Sequence, residues 1–161
     1  MIVSLPPFQQ LVDTHWRDVA RLAHALAGPV EGDDVAQQAW LQALAAYPRL
    51  TRATNLRSWL LTITHRCAMD RFRVAARSTP HDEPASLAAA PVAAPPTEPR
   101  PDVWAAVAAL PGRQREVVVL RFVADLDHAA IGTTLGISTV MSRRVLADAL
   151  ATLRLSSEEL S

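Results

Sequence analysis

Apolar side chains recur at intervals of three and four residues along most of the chain, and Pro or Gly interrupts this pattern at a few points. Such spacing is typical of amphipathic helices, and no stretch shows the sustained alternation of a half-buried strand. The pattern predicts seven helices, over residues 8–27, 34–46, 56–77, 103–110, 113–123, 127–135 and 139–155. We therefore predict an all-α protein.

The first three predicted helices have clear boundaries in the sequence. Gly28-Pro29 ends the first helix, and Tyr47-Pro48 ends the second. Asp33 stands where an N-cap would precede the second helix, and acidic residues there favour the positive end of the helix dipole. The third helix is predicted to turn a set of mostly apolar side chains inward: Trp59, Leu60, Ile63, Cys67, Ala68 and Phe72.

The last two predicted helices are separated by a short turn, Gly136-Ile137-Ser138. Two helices joined by three or four residues that include Gly form the outline of a helix-turn-helix. Ahead of them, Asp102 is a predicted N-cap for the helix over 103–110, and Pro111-Gly112 forms a turn before the helix over 113–123. The outline alone has low specificity, because many small helical domains contain a Gly turn.

A Pro-rich segment separates the two helical blocks. Seven of the 24 residues from Ser78 to Pro101 are Pro and six are Ala. Pro removes a backbone donor and clashes inside a helix, and the segment has few large apolar side chains with which to form a core. We predict a domain over 1–77, a flexible linker over 78–101, a second domain over 102–155 and an acidic tail over 156–161.

The formal net charge of zero hides an uneven distribution. All 16 cationic side chains are Arg, and the net charge is +3 over residues 1–77, −2 over 78–101, +1 over 102–155 and −2 over the tail. The single Cys excludes an internal disulfide framework and suits a reducing compartment. No apolar run is long enough to span a bilayer and no secretory signal is present, so we expect a cytoplasmic protein without direct membrane insertion.

Two helices carry side chains suited to binding. The helix over 56–77 combines several Arg with Trp59, Thr62 and His65, a set that suits phosphate contact and base stacking. A solvated charged face around a buried Trp is the alternative. The helix over 34–46 carries a polar, acidic face that suits a basic protein partner, although first-turn acids can also serve only the helix dipole.

No catalytic or metal site is predicted. Asp33 and Asp34 are adjacent on a helix and so point about 100° apart rather than converging. The five His residues show no ligand spacing with acids or with Cys67, which suits a core position better than a nucleophile. Neither a phosphate-binding Gly loop nor a nucleophile elbow is present. We therefore expect neither an enzyme nor a cofactor.

Four segments resemble the extracytoplasmic-function (ECF) group of bacterial RNA polymerase sigma factors. Residues 32–43, GDDVAQQAWLQA, are similar to the helix of that group that opens with an acidic pair followed by VQETFLRA. Residues 56–73, LRSWLLTITHRCAMDRFR, resemble its SWLxxIARNxAxDxxR helix. Residues 110–117, LPGRQREV, match its LPxRQREV closely, and His128 to Ser138 resembles its helix-turn-helix. The resemblance covers nearly the whole chain outside the linker.

The resemblance implies a transcription initiation factor with two helical domains. The first domain would bind the clamp helices of the largest subunit of core RNA polymerase through Asp33, Asp34, Gln37, Gln38 and Leu41. It would open and read the promoter −10 element through Arg52, Asn55, Arg57, Trp59, Thr62, His65, Arg66 and Arg71. The second domain would rest on the polymerase flap and contact the −35 element through Thr139, Ser142, Arg143 and Arg144. An anti-sigma factor is the expected inhibitor.

The sequence departs from the family at the last helix. The family pattern after the turn is ISxGTVKSRLxRA, whereas this chain has ISTVMSRRVLADA over 137–149. Aligned without a gap, Ser142 takes an apolar position and Asp148 a cationic one. Aligned on Thr139-Val140, the turn is two residues short. The series Met141, Val145, Ala149 and Leu153 favours the ungapped register, with Ser138 as N-cap.

This departure leaves a second functional hypothesis open. Fewer cations near the DNA backbone should weaken binding, because each phosphate contact contributes through counterion release. A sigma-like interaction protein that binds polymerase or a regulator without promoter recognition is the alternative. The −10 helix also lacks the family's Asn after Ala-Arg, because His65-Arg66-Cys67 is shifted or substituted there. A ligand-responsive helical repressor or an enzyme has no supporting constellation in the sequence.

Overall fold

The computed structural model describes residues 4–51, 55–78 and 101–159. It contains helices α1 (Phe8–Ala46), α2 (Leu56–Ser78), α3 (Pro101–Ala108), α4 (Gly112–Phe122), α5 (His128–Leu135) and α6 (Thr139–Glu159), with a 3-10 turn at Tyr47–Arg49 after α1. No strand occurs within these ranges, and the predicted all-α fold is confirmed.

Helix α1 is bent at Gly28 into a first arm, residues 8–27, and a second arm, residues 29–46. Gly28 has φ 86° and ψ 175°, a conformation that favours glycine because a Cβ would be strained there. Pro29 follows at the first position of the second arm, where its fixed φ suits a helix and its missing N–H is not needed. The prediction that Asp33 caps this helix is wrong, because Pro29 starts it four residues earlier.

The first domain is built from the two arms of α1 packed against α2. Its buried core includes Leu11, Val19, Leu22, Leu26, Val35, Ala39, Leu60, Leu61, Ile63, Cys67 and Ala68. An aromatic cluster closes one end, where the ring of Phe8 lies edge-on to Trp40 and Tyr47 and the ring of Tyr47 lies 6.3 Å from that of Trp59. The predicted inward positions of α2 are accordingly buried, with Trp59 and Phe72 partly so.

The second domain contains the predicted helix-turn-helix in α5 and α6. The Asp127 carboxylate accepts from the Ala130 N–H at 2.8 Å and caps α5, while Gly136 ends it in the left-handed region at φ 70°. The Ser138 hydroxyl oxygen accepts from the Met141 N–H at 3.0 Å and caps α6. These caps place the turn where the sequence predicts it and support the ungapped register.

Two other helix boundaries differ from the prediction. Helix α3 begins at Pro101, so Asp102 lies inside the helix and the prediction that it caps residues 103–110 is wrong. Helix α6 continues to Glu159 because neither Gly nor Pro follows Leu155, so the predicted tail over 156–161 begins as helix. The predicted linker, apart from Ser78 and Pro101, lies outside the described residues.

The two domains contact each other. Helix α4 packs against α1, and α5 packs against α2. The second domain therefore lies beside the helix that carries most of the predicted −10 residues.

Candidate functional site

A groove runs between the second arm of α1 and the C-terminal half of α2. We call it the α1–α2 groove; four of the five predicted polymerase-binding residues line it: Asp34, Gln37, Gln38 and Leu41. Leu41 is 63% exposed, although it is a large apolar side chain. Val35, Cys67 and Phe72 contribute apolar lining, and Glu31 and Asp70 add acidic groups. The groove thus combines an exposed apolar side chain with a mostly acidic, amide-rich wall.

Asp33 lies apart from this groove. Its carboxylate is 2.8 Å from Nε2 of His24 on the first arm, and the side chain is 77% exposed. The two adjacent acids therefore have different partners, as their divergence on a helix requires.

Arg71 belongs to the α1–α2 groove. Its guanidinium donates to the carboxylates of Glu31 and Asp34, the latter at 3.0 Å, and it lines the groove. Arg71 lies fourteen residues, about 21 Å of helix, beyond Arg57 on α2, so it stands at the other end of the helix. Its predicted −10 contact stays a prediction. Sequence spacing on α2 could not reveal its place in the groove without the position of Glu31.

Three predicted −10 residues form one surface, which we call the α2 face: Arg57, Thr62 and His65. All three contact the second domain. The Arg57 guanidinium donates to the Ala124 carbonyl, the Thr62 and Thr134 hydroxyl oxygens are 2.9 Å apart, and His65 Nε2 lies 3.2 Å from Glu116 Oε1. In this arrangement His65 is 5% and Glu116 is 7% exposed.

The other predicted −10 residues differ in position. Asn55 is exposed with φ 60°, and its carbonyl accepts from the Trp59 N–H at the start of α2. Arg66 is exposed, whereas the Trp59 ring packs against Tyr47 and is only partly accessible. The Trp59 ring therefore cannot stack on a base, as predicted, without giving up part of its packing in the aromatic cluster. Arg52 lies outside the described residues.

Helix α6 exposes some of the predicted −35 residues and buries one. Arg143 and Arg144 are exposed and Thr139 is partly so. Ser142 is 0% exposed, and its hydroxyl lies 2.9 Å from Nδ1 of His128. The structure contradicts the prediction that Ser142 contacts DNA, because the side chain is enclosed between α5 and α6. Burial, together with the charges of Arg121 and Arg143, lowers the pKa of His128, which favours the neutral imidazole beside Ser142.

Sequence reasoning missed Val140. This side chain is 71% exposed near the start of α6, on the side away from buried Ser142 and Ala149. Arg144 and Ala147, four and seven residues further on, share its side of the helix and are also exposed. The ungapped register already indicated that Val140 is exposed. It places Ser142 at an apolar, inward position, and Val140 then lies on the opposite side of the helix. Met141, predicted inward, is 43% exposed.

The remaining titratable groups do not indicate a nucleophile or a metal site in the part of the chain that the structure describes. Burial raises the pKa of the Cys67 thiol to about 11, with the nearby charge of Asp70 adding to the effect. Within the described ranges, no group of three His, Cys, Asp or Glu side chains could hold a metal ion. None of the helices described here is sufficiently long and apolar to cross a membrane.

Comparisons with known proteins cover both domains. Residues 11–78 match the family model described as sigma-70 region 2, and residues 106–155 match the one described as sigma-70, region 4. The chain is similar to CnrH, solved in complex with the cytosolic domain of CnrY: identity is 26% over 96% of this chain and 89% of that chain, with a TM-score of 0.69. Its fold also resembles that of the sigma factor RpoE solved with the anti-sigma factor NepR from Bartonella quintana, at 18% identity over 91% and 94% of the two chains and a TM-score of 0.74.

Proposed function

The chain belongs to the ECF group of the sigma-70 family, whose members act as transcription initiation factors rather than as enzymes, and we propose which of its surfaces bind polymerase and which bind promoter DNA. The α1–α2 groove binds the clamp helices of core RNA polymerase. The α2 face, with Asn55, Arg66 and Arg52, contacts the −10 element. Helix α6 contacts the −35 element while the second domain rests on the flap. This work takes place in the cytoplasm.

The groove carries the proposal for polymerase binding. Four predicted polymerase-binding side chains that are spread over eight residues of sequence line one groove, and an exposed Leu41 stands among them. An apolar anchor beside polar groups is the usual composition of a protein interface. Asp33, which lies outside the groove, has a peripheral role in this binding.

The charge of the surfaces supports a DNA role for the second domain. Arg143 and Arg144 are exposed near the start of α6, where a recognition helix meets base edges and phosphates. Asp148 is exposed one turn further on and opposes phosphate contact there. We propose that phosphate contact is concentrated in the first two turns of α6. Val140, and not the buried Ser142, belongs to the surface that faces DNA.

Inhibition by a protein partner is part of the same proposal. CnrH and RpoE were both solved with a second protein bound, CnrY and the anti-sigma factor NepR respectively. We propose that this chain is likewise held by an anti-sigma factor until a signal releases it.

The test combines the purified chain with core RNA polymerase and a library of promoter fragments. The expected result is a stable complex and transcripts from a small set of promoters. Leu41→Asp should weaken core binding at least about tenfold, as expected for the loss of an interface anchor. Leu44→Asp is the matched control, because Leu44 is 52% exposed on the same arm but lies outside the groove lining.

Failure to bind core would overturn the proposal. Core binding without any selected promoter would favour instead the sigma-like interaction protein, for which the sparse cations of α6 are the supporting observation.

A further inference from the structure

A polar pair joins the two helices of the helix-turn-helix. Ser142 on α6 is 0% exposed, and its hydroxyl lies 2.9 Å from Nδ1 of His128, the first residue of α5. The ungapped register assigns the position of Ser142 to an apolar side chain, so a hydrogen bond replaces an apolar contact here. A buried hydroxyl that loses its partner is destabilising. The position of Ser142 therefore depends on the imidazole of His128.

This hydrogen bond stands next to the part of α6 that is proposed to meet DNA. Ser142 precedes Arg143 and Arg144, which are both exposed. At the other side of the bond, α5 is held at its start by the Asp127 carboxylate, which accepts from the Ala130 N–H. In a helix-turn-helix, the first helix crosses the DNA backbone while the second contacts base edges. The bond thus sets how the first turns of α6 stand when α5 lies on the backbone.

Charged groups from each neighbouring element act on the imidazole of His128. Burial, Arg121 at the end of α4 and Arg143 at the start of α6 lower its pKa, whereas Asp127 opposes them. Helix α2 meets the other end of α5, at Thr134. The free chain therefore holds the His128 ring neutral at pH 7.

DNA binding would change this balance through Arg143. Arg121 donates to the Leu126 carbonyl at 3.2 Å and lies 3.8 Å from the Asp125 carboxylate, whereas Arg143 is exposed at the start of α6. A phosphate bound by Arg143 offsets that positive charge and brings a negative charge close to the ring. Both changes raise the pKa of the imidazole in the complex. A protonated ring donates from Nδ1 to the Ser142 oxygen, and such a charge-assisted hydrogen bond is stronger.

We propose that His128 is a positioning residue for promoter recognition, which holds the start of α6 through Ser142 and takes up a proton when the second domain binds the −35 element. It acts through Ser142 and Arg143, and it needs no contact of its own with DNA. This inference rests on the proposed function, because it concerns the same −35 contact. A group whose pKa is higher in the complex strengthens binding as the pH falls, and the gain is absent well above both pKa values.

The test measures promoter binding by the full chain in complex with core polymerase. Two templates are compared: a promoter selected from the library, and the same promoter with a scrambled −35 element. The ratio of the two affinities isolates the second domain, because core and the −10 element are common to both templates. We expect this ratio to rise at least about threefold from pH 8 to pH 6, since a pKa rise of one unit allows at most about tenfold.

His128→Asn separates titration from positioning. The Asn side-chain amide can still donate a hydrogen bond to the Ser142 oxygen, but it does not titrate. We expect a ratio close to that of the wild type at pH 8 and no rise at pH 6. A rise equal to that of the wild type would overturn the proposal.

Ser142→Ala removes the bond that joins the two helices. The ratio should fall about fivefold at pH 8, the usual effect of one lost hydrogen bond, and further at pH 6, where the lost bond is charge-assisted. Ser138→Ala is the matched control, because it removes another hydroxyl hydrogen bond of α6, the cap on the Met141 N–H. Any loss in that variant should be the same at the two pH values.

Two further outcomes contradict the proposal: a wild-type ratio that is independent of pH, or equal losses at the two pH values for Ser142→Ala. In both cases the −35 contact stands and only the role of His128 is wrong. A wild-type complex that prefers neither template at any pH would show instead that the proposed −35 contact fails, and the inference with it.

Discussion

Single side chains decide how the second domain can read DNA. Ser142 is buried against His128, and its burial fixes which side of α6 faces outward. That side carries Val140 between Arg143 and Arg144, so an apolar group stands at its centre. In the major groove, an apolar side chain distinguishes thymine through the C5-methyl group.

We predict that Val140 contacts a thymine methyl in the −35 element. Replacing that thymine by uracil in a selected promoter removes one methyl group, worth about 0.8 kcal/mol or a fourfold loss of affinity. The measurement is binding of the polymerase complex to promoters in which each −35 thymine is replaced in turn. Val140→Ala should abolish the difference, whereas Met141→Ala should retain it. Equal sensitivity in the two variants would contradict the assignment.

Burial also determines how reactive the Cys67 thiol is. Its pKa of about 11 and its 4% exposure leave little reactive thiolate in the native protein. We predict alkylation by iodoacetamide at pH 8 at least about a hundredfold slower than in denaturant, where the thiol regains its ordinary pKa of about 8.5. Mass spectrometry of timed samples measures the rate. Rapid modification of the folded chain would instead indicate an accessible thiol.

At the scale of elements, the bend of α1 brings its two arms into close contact. A Cβ added at Gly32 would lie 2.0 Å from Cδ2 of His24 and 2.9 Å from its Cα. Because one of these atoms belongs to the backbone, a side chain at position 32 could be accommodated only if the two arms moved apart. The second arm, which supplies the groove side chains, therefore depends on Gly32 for its position.

Gly32→Ala should lower the free energy of unfolding by about 1–3 kcal/mol, the usual cost of overpacking. Denaturant unfolding followed by Trp fluorescence measures it. His24→Ala combined with Gly32→Ala should recover part of the loss, because the imidazole clash disappears while the contact with Cα remains. Full additivity of the two substitutions would show that the strain lies elsewhere.

The elements were largely predictable from local sequence. The boundaries at Gly136 and Ser138 agree with the prediction because their interactions are confined to a few neighbouring residues. Asp127, predicted as the first residue of its helix, caps that helix instead. The predicted Asp33 cap failed because Pro29 and Gly28 provide a stronger start to the same helix. The N-cap prediction for Asp33 was therefore wrong because a second helix-start signal stands a few residues before it.

At the scale of the whole molecule, promoter binding by two domains depends on the segment between them. Once one domain has bound, the second binds at an effective concentration that falls roughly as the −3/2 power of linker length. Inserting a second copy of residues 79–100 should therefore lower affinity for a promoter with both elements about threefold. A template with only the −10 element should show no change. A uniform loss on both templates would indicate damage to a domain rather than to the coupling.

The sequence by itself determined the helices, the two-domain division and the family, because periodicity, turn residues and motifs are local properties of the chain. The family resemblance also grouped Asp34, Gln37, Gln38 and Leu41, which line one groove, with Asp33, which lies outside it. Tertiary structure alone decided which partner each polar side chain has. Arg71 faces Glu31, Ser142 faces His128 and His65 faces Glu116 because distant segments pack together. Such contacts depend on distances through space that no spacing along one helix contains.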